Sequence, residues 1–246
     1  MQTVERAMGI LLAFTEGDRV LGVSEIARSL DLPKSAVHRI LASLVRTGFV
    51  ERDETGARYR LGPRAIDLGM VAMGTPDIRA LALPVMQELS RRTQETVTLS
   101  LLTGRERVYV SQVEGPRAVR MTVKIGARFP LYAGASGRAI LGALPQRERD
   151  AYLESVSLRP LTPDTITSRS RLLKEVRRAR EVGYAASAGE RDPWAAAVAA
   201  PLVTARGRVL GSISVCGPRQ RLGLDEVGEY GRAVADAAAG LSRQIG

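Results

Sequence analysis

Residues 24–61 set three structural signals in an order that few small domains accommodate. Ser24 precedes Glu25-Ile26-Ala27-Arg28-Ser29-Leu30 and is placed as an N-cap, which predicts a short helix to about Leu30 and a turn at Asp31-Leu32. Pro33 opens a longer helix that runs to about Thr47, because Val37, Ile40, Leu41 and Leu44 recur at i, i+3, i+4 and i+7 and so share one face. Gly48 closes it. Phe49–Arg52 and Ala57–Leu61 then read as two short strands around the turn Asp53-Glu54-Thr55-Gly56. A further helix precedes these elements over residues 1–16, with Val4, Met8, Leu11 and Leu12 close to an i, i+4, i+7, i+8 stripe and Gly17-Asp18 at its end.

Helix, helix, tight turn, helix and hairpin is the plan of a winged helix-turn-helix, whose third helix enters the major groove while the wing touches the backbone or minor groove. The face of the third helix opposite its apolar stripe carries Ser35, Arg39, Ala42 and Arg46, flanked by Lys34 and His38. Strand alternation places Arg58 and Arg60 on one face of the hairpin and Tyr59 with Leu61 on the other. Spacing alone leaves two readings open: a DNA-contacting surface, or the solvated charges of a trihelical domain that binds protein. The net charge of +10 does not decide between them, because residues 1–70 hold ten Lys and Arg against nine Asp and Glu, and the excess lies further along the chain.

A length of 246 residues suits two domains, and 45% hydrophobic with 25% charged residues is ordinary globular usage. The single cysteine, Cys216, excludes an intramolecular disulfide and a cysteine-based metal cluster. Met1–Thr15 lacks the pattern of a secretory leader, and no stretch approaches the roughly 20 apolar residues of a membrane span, so a cytoplasmic protein without membrane partners is expected. Apolar spacing over Ile66–Met73 predicts a linker helix after Pro63, punctuated by Gly74-Thr75-Pro76. The expected domains are 1–62, a linker at 63–75, and 76–246.

Beyond the linker a helix is predicted over Asp77–Arg92, then strands "TVTLSLLT" and "RVYVSQVE" around Thr103-Gly104-Arg105. Further strands are predicted at Val119–Ile125, Tyr184–Glu190, Ala196–Thr204 and Val209–Cys216, and helices at Ser136–Leu144, Gln146–Ser155, Ser168–Glu181 and Asp225–Ile245. Without regular βαβ alternation this is an antiparallel α+β domain. In Tyr132-Ala133-Gly134-Ala135-Ser136-Gly137-Arg138, small residues at a helix start leave backbone N–H groups open to a ligand carboxylate. The alternative is that Ser136 caps the helix and the glycines ease a turn.

The runs "VERAMGILLAF", "SEIARSLDLPKSAVHRILASLVRTGFVERDETGARYRLGPRAIDLG", "PLYAGASGRAILGAL", "LTPDTIT" and "AAPLVTARGRVLGSISVCGP" resemble, in order and spacing, the IclR family of bacterial transcription regulators. The resemblance covers nearly the whole chain. It implies a DNA-binding winged helix-turn-helix, a linker helix, a GAF-like effector domain, and a homodimer or a homotetramer built from dimers. The implied DNA contacts are Lys34, Ser35, His38, Arg39, Arg46, Arg58 and Arg60. The implied effector cavity is formed by Ala118, Met121, Ala135, Ser136, Ser187, Ala197, Ser214 and Cys216. Trp194 and Tyr132 are candidates to stack on an aromatic effector, and Arg128 and Arg138 to pair with a carboxylate.

Where relatives that bind small oxoacids have an acidic residue, a cysteine and a serine, this chain has Ser187, Ala197 and Cys216, which implies a less polar, roomier cavity suited to an aromatic acid or amide. An enzyme is disfavoured: the only histidine, His38, lies in the third helix, and no nucleophile elbow, phosphate-binding loop or metal-ligand cluster is present. No cofactor is expected. A constitutive DNA-binding protein, whose second domain only oligomerises, is the rival reading.

Overall fold

Ile10, Phe14, Ile26, Val37, Leu41 and Tyr59 converge in one buried core, and three helices and a small sheet form around it. These are α1 (Gln2–Glu16), α2 (Val23–Ser29) and α3 (Lys34–Arg46), with β1 (Leu21–Gly22), β2 (Val50–Arg52) and β3 (Arg58–Leu61) in an antiparallel sheet of order β1-β3-β2. The computed structural model describes residues 2–16, 20–53, 56–65, 68–69 and 78–245, and the chain divides into two units, Met1–Asp77 and Ile78–Gly246. Helical backbone is described at 63–65 and 68–69, and the rest of the expected linker helix lies outside the described residues.

Several expectations for the first unit are corrected. Helix α2 starts before Ser24: Gly22 is the N-cap, and its N–H donates to Glu25 Oε2 at 2.6 Å, so the carboxylate three residues on closes the first turn. Leu21–Gly22 pairs with Tyr59 and Arg58, a strand too short to announce itself by alternation. Only Tyr59 of the hairpin's supposed apolar pair reaches the core; Leu61, at the end of β3, is exposed. On α1 the core is entered by Ile10 and Phe14, whereas Val4, Met8 and Leu12 form an exposed stripe at i, i+4 and i+8.

In the second unit six antiparallel strands follow the order β6-β5-β4-β9-β8-β7. They are β4 (Thr96–Thr103), β5 (Glu106–Val113), β6 (Arg128–Pro130), β7 (Ala185–Ala188), β8 (Ala195–Val203) and β9 (Val209–Pro218). Helices α4 (Ile78–Thr93) and α8 (Leu224–Gln244) cover one face, and α5 (Ala135–Ala143), with α6 (Gln146–Ser155) and α7 (Arg169–Val182), belongs to the other. Alternation along the central strands explains the asymmetry. Val97, Leu99, Val198, Ile213 and Val215 meet α4 and α8 in one apolar core. Thr98, Ser100, Ser212 and Ser214 project to the opposite face, where α5 lies close because Ala135, Ala139, Ala185, Ala197 and Ala199 are small.

The strand predicted at Val119–Ile125 is absent; residues 116–126 form a loop, and the edge strand is β6 instead. That loop satisfies its backbone through side chains: Thr96 Oγ1 donates to the Met121 carbonyl at 2.6 Å, and the Val123 N–H donates to Gln112 Oε1 at 2.9 Å. Buried Glu95 pairs with Arg117 at 3.2 Å and Arg221 at 2.6 Å, and Arg221 also donates to the Val119 carbonyl at 2.9 Å. Such long-range fastening leaves no periodic signal in the sequence.

Candidate nucleic-acid interface and effector site

The apolar stripe of α3 faces inward, which leaves Lys34, Ser35, His38, Arg39, Ala42 and Arg46 exposed together. No carboxylate occurs between Lys34 and Arg46, so the surface is uniformly basic over nearly four turns. Arg46 Nη2 lies 3.5 Å from Ser43 Oγ, a loose contact that leaves the guanidinium available to a phosphate. The hairpin arginines are held more firmly. Arg58 Nη2 donates to the Val20 carbonyl at 2.8 Å and to Glu25 Oε2 at 3.0 Å, which ties β3 to α2. Arg60 pairs with Glu51 across the hairpin at 2.5 Å.

In the second unit the loop before α5 turns at Gly134, whose φ of 85° is the left-handed region, and Gly134 rather than Ser136 takes the N-cap position. Two of the helix's first N–H groups are already occupied: Gly134 N–H donates to Glu190 Oε2 at 3.2 Å, and Ala135 N–H donates to Ser187 Oγ at 2.9 Å. Ser214 Oγ is bonded to Thr98 Oγ1 at 2.7 Å. Ala135, Ser136, Ser187, Ala197, Ser214 and Cys216 come together around one cavity. Burial pushes the Cys216 thiol up to about 12.

Sequence reasoning missed the cationic and aromatic residues of that cavity, Arg107, Tyr109 and Arg191. Arg107 lies over the rings of Tyr109 at 4.7 Å and Phe129 at 5.3 Å, and Arg191 over the same rings at 5.2 and 4.5 Å. Strand alternation in "RVYVSQVE" places Arg107 and Tyr109 on one face, but nothing local says that this face is buried. The expectation of a roomier cavity is corrected. It is lined by two guanidiniums and measures about 30 Å³, room for about one water molecule.

Three expected members stand elsewhere. Ala118 is exposed, Met121 is half-buried with its carbonyl bound by Thr96, and Trp194 is 69% exposed; none of them lines the cavity. Tyr132 is buried with its hydroxyl donating to the Arg159 carbonyl at 2.9 Å, and Arg128 faces Glu106 at 3.9 Å. Arg138 is buried, paired with Glu190, and donates to the Ala186 carbonyl. A larger groove of about 640 Å³ runs along the edge strand β7 and shares Ser187, Glu190 and Ala196 with the small cavity. It lacks Ser136, Ser214 and Cys216, so the small cavity is the one built on the polar sheet face.

The family described as "Bacterial transcriptional regulator IclR C-terminal" matches residues 70–243, and "IclR helix-turn-helix domain" matches residues 3–54. The chain belongs to the IclR family. This IclR-family chain is 38% identical to the HTH-type transcriptional regulator KipR of Bacillus subtilis over 100% of its own length and 97% of that protein. Among solved structures, the IclR transcriptional regulator of Alicyclobacillus acidocaldarius matches with a TM-score of 0.87 and 30% identity, covering 100% of this chain and 99% of that one. An IclR homologue of Microbacterium hydrocarbonoxydans, solved as a complex with 4-hydroxybenzoate, matches with a TM-score of 0.84 and 26% identity over 98% and 97% of the two chains. Among the described residues no helix is long and apolar enough to cross a membrane.

Proposed function

We propose that this chain is a sequence-specific DNA-binding transcription regulator whose operator affinity is modulated by a small molecule in the second unit. The observation that carries the first half is the carboxylate-free face of α3, on which Lys34, Ser35, His38, Arg39 and Arg46 are exposed together. Arg39 stands at its middle and reads a base edge, while Lys34 and Arg46 meet phosphates at its ends. Arg58 and Arg60 serve at the edge of the interface, where their ion pairs already orient them. Family membership supports this reading, since relatives such as KipR are regulators.

Ser136, Ser187, Ser214 and Cys216 form the effector site, and a compact aromatic acid or amide is the proposed effector class. The 4-hydroxybenzoate complex of the Microbacterium homologue supports that class. Two copies pair through the exposed stripe of Val4, Met8 and Leu12, which gives two recognition helices for a roughly palindromic site, as a dimer or a tetramer. The small size of the cavity favours a second reading, a constitutive DNA-binding protein whose second unit only oligomerises.

Selection of genomic fragments by the full chain, followed by sequencing, tests the proposal. Recovered fragments should share one motif, and Arg39→Ala should lose preference for it. Recovery of random fragments by wild type would refute DNA recognition by α3.

A further inference from the structure

Two buried arginines of the second unit have different surroundings. Arg138 is 2% exposed and neutralised by Glu190. Arg107 is equally buried at 2%, yet among the described residues it has no carboxylate within ion-pair distance. Its Nη1 donates to Ser100 Oγ at 3.2 Å, and its buried Nε has no hydrogen-bond partner. The carboxylates that border the cavity are already engaged: Glu190 with Arg138, and Asp192 Oδ1 as acceptor of the Trp194 N–H at 2.9 Å. Arg191 adds a like charge over the same two rings. Burial, and then Arg191, push the Arg107 guanidinium below its ordinary range, although Tyr109 opposes them.

A buried cation without a countercharge is costly to fold around, and a neutral ligand does nothing to offset that cost. An anion does. We infer that the effector is a small carboxylate anion whose charge is answered by Arg107, and that Arg191 leaves the Tyr109 and Phe129 rings to admit it. The inference rests on the effector reading above and narrows it from acid or amide to acid. Size demands the second half: a cavity of about 30 Å³ cannot take a benzoate-sized body while Arg191 occupies the rings. Once vacated, those rings offer an aromatic body the faces that the guanidinium now covers, and Arg107, which lines the cavity and whose Nε has no partner, meets the carboxylate.

The test is calorimetry and thermal unfolding of the full chain with benzoate, 4-hydroxybenzoate, glyoxylate and oxalate as acids, and with benzamide and 4-hydroxybenzamide as neutral counterparts. At least one acid should bind and raise the melting temperature, with its amide at least about tenfold weaker. Arg107→Met should abolish the acid response, while Arg107→Lys keeps part of it. Without ligand, Arg107→Met should melt above wild type, because the uncompensated charge is gone. Equal binding of acid and amide, no binding of any of the four acids, or a full acid response in Arg107→Met would overturn the inference. So would a ligand-free Arg107→Met that melts at or below wild type. The wild-type acid and amide comparison stands even where a variant does not fold. If an amide binds as tightly as its acid and alters DNA affinity, the effector reading survives and the anion assignment fails. If acids bind through Arg107 and DNA affinity never changes, the reverse holds.

Discussion

Arg39 and Arg58 are both arginines on the surface proposed to meet DNA, and their surroundings give them different work. Arg39 is exposed on α3, where its fork can engage a guanine edge. Arg39→Ala should cost about 1–3 kcal/mol of binding and relax specificity at one base pair, which competition binding against single-substituted sites will measure. Arg58 binds Val20 and Glu25 as well, so Arg58→Ala should lower the stability of the first unit by roughly 1 kcal/mol, in addition to weakening all DNA sequences alike. Chemical denaturation of the full chain separates those two effects. Cys216 makes a third prediction at this scale. Burial carries its thiol from 9.0 up to about 12, so the thiolate at pH 8 is about a thousandfold scarcer than for an ordinary cysteine, and iodoacetamide should label the folded chain slower by orders of magnitude. Labelling at the rate of the unfolded chain would show that the cavity opens freely.

Helix α5 and the sheet beneath it decide the character of the site. Gly137 is fixed by close approach, since a Cβ there would lie 2.2 Å from the Leu131 carbonyl oxygen. Gly137→Ala should therefore destabilise the second unit by about 1–3 kcal/mol and shift α5 from the cavity, read as a lower melting temperature. Removing the charge from Arg138 strands Glu190 in the interior, and Arg138→Met should cost about 3–5 kcal/mol. At this scale much was legible in advance. The apolar stripe of α3 and the alternation of β4, β8 and β9 are local patterns, and both describe the structure. What escaped was set by contacts distant in sequence. The loop at 116–126 is fastened by Glu95, Gln112 and Arg221, and buried Arg107 shares its cavity with Ala135, Ser136, Glu190, Arg191 and Asp192, all distant in the chain. Periodicity shows which side chains share a face, and it is silent on which face is covered. The stripe of α1 misled for the same reason: its helical spacing is genuine, but Val4, Met8 and Leu12 are exposed.

The whole molecule joins a basic recognition helix, an exposed apolar stripe and a charged cavity in one chain. Leu12, 57% exposed, is central to the proposed pairing, so Leu12→Glu should shift light scattering from a dimer or tetramer towards smaller species and weaken binding to a two-half-site fragment. A wild-type chain that is strictly monomeric at tens of micromolar would contradict paired recognition helices. Linkage then couples the two sites: a ligand that favours one arrangement of the molecule must change its affinity for DNA, and DNA must change its affinity for the ligand by the same factor. The direct measurement is a fluorescence-anisotropy titration of a selected genomic fragment, at fixed salt, with and without a saturating acid that stabilises the protein. Coupling should displace the two curves by about fivefold or more, with no displacement in Arg107→Met. Superimposed curves for every acid that binds the protein would contradict it.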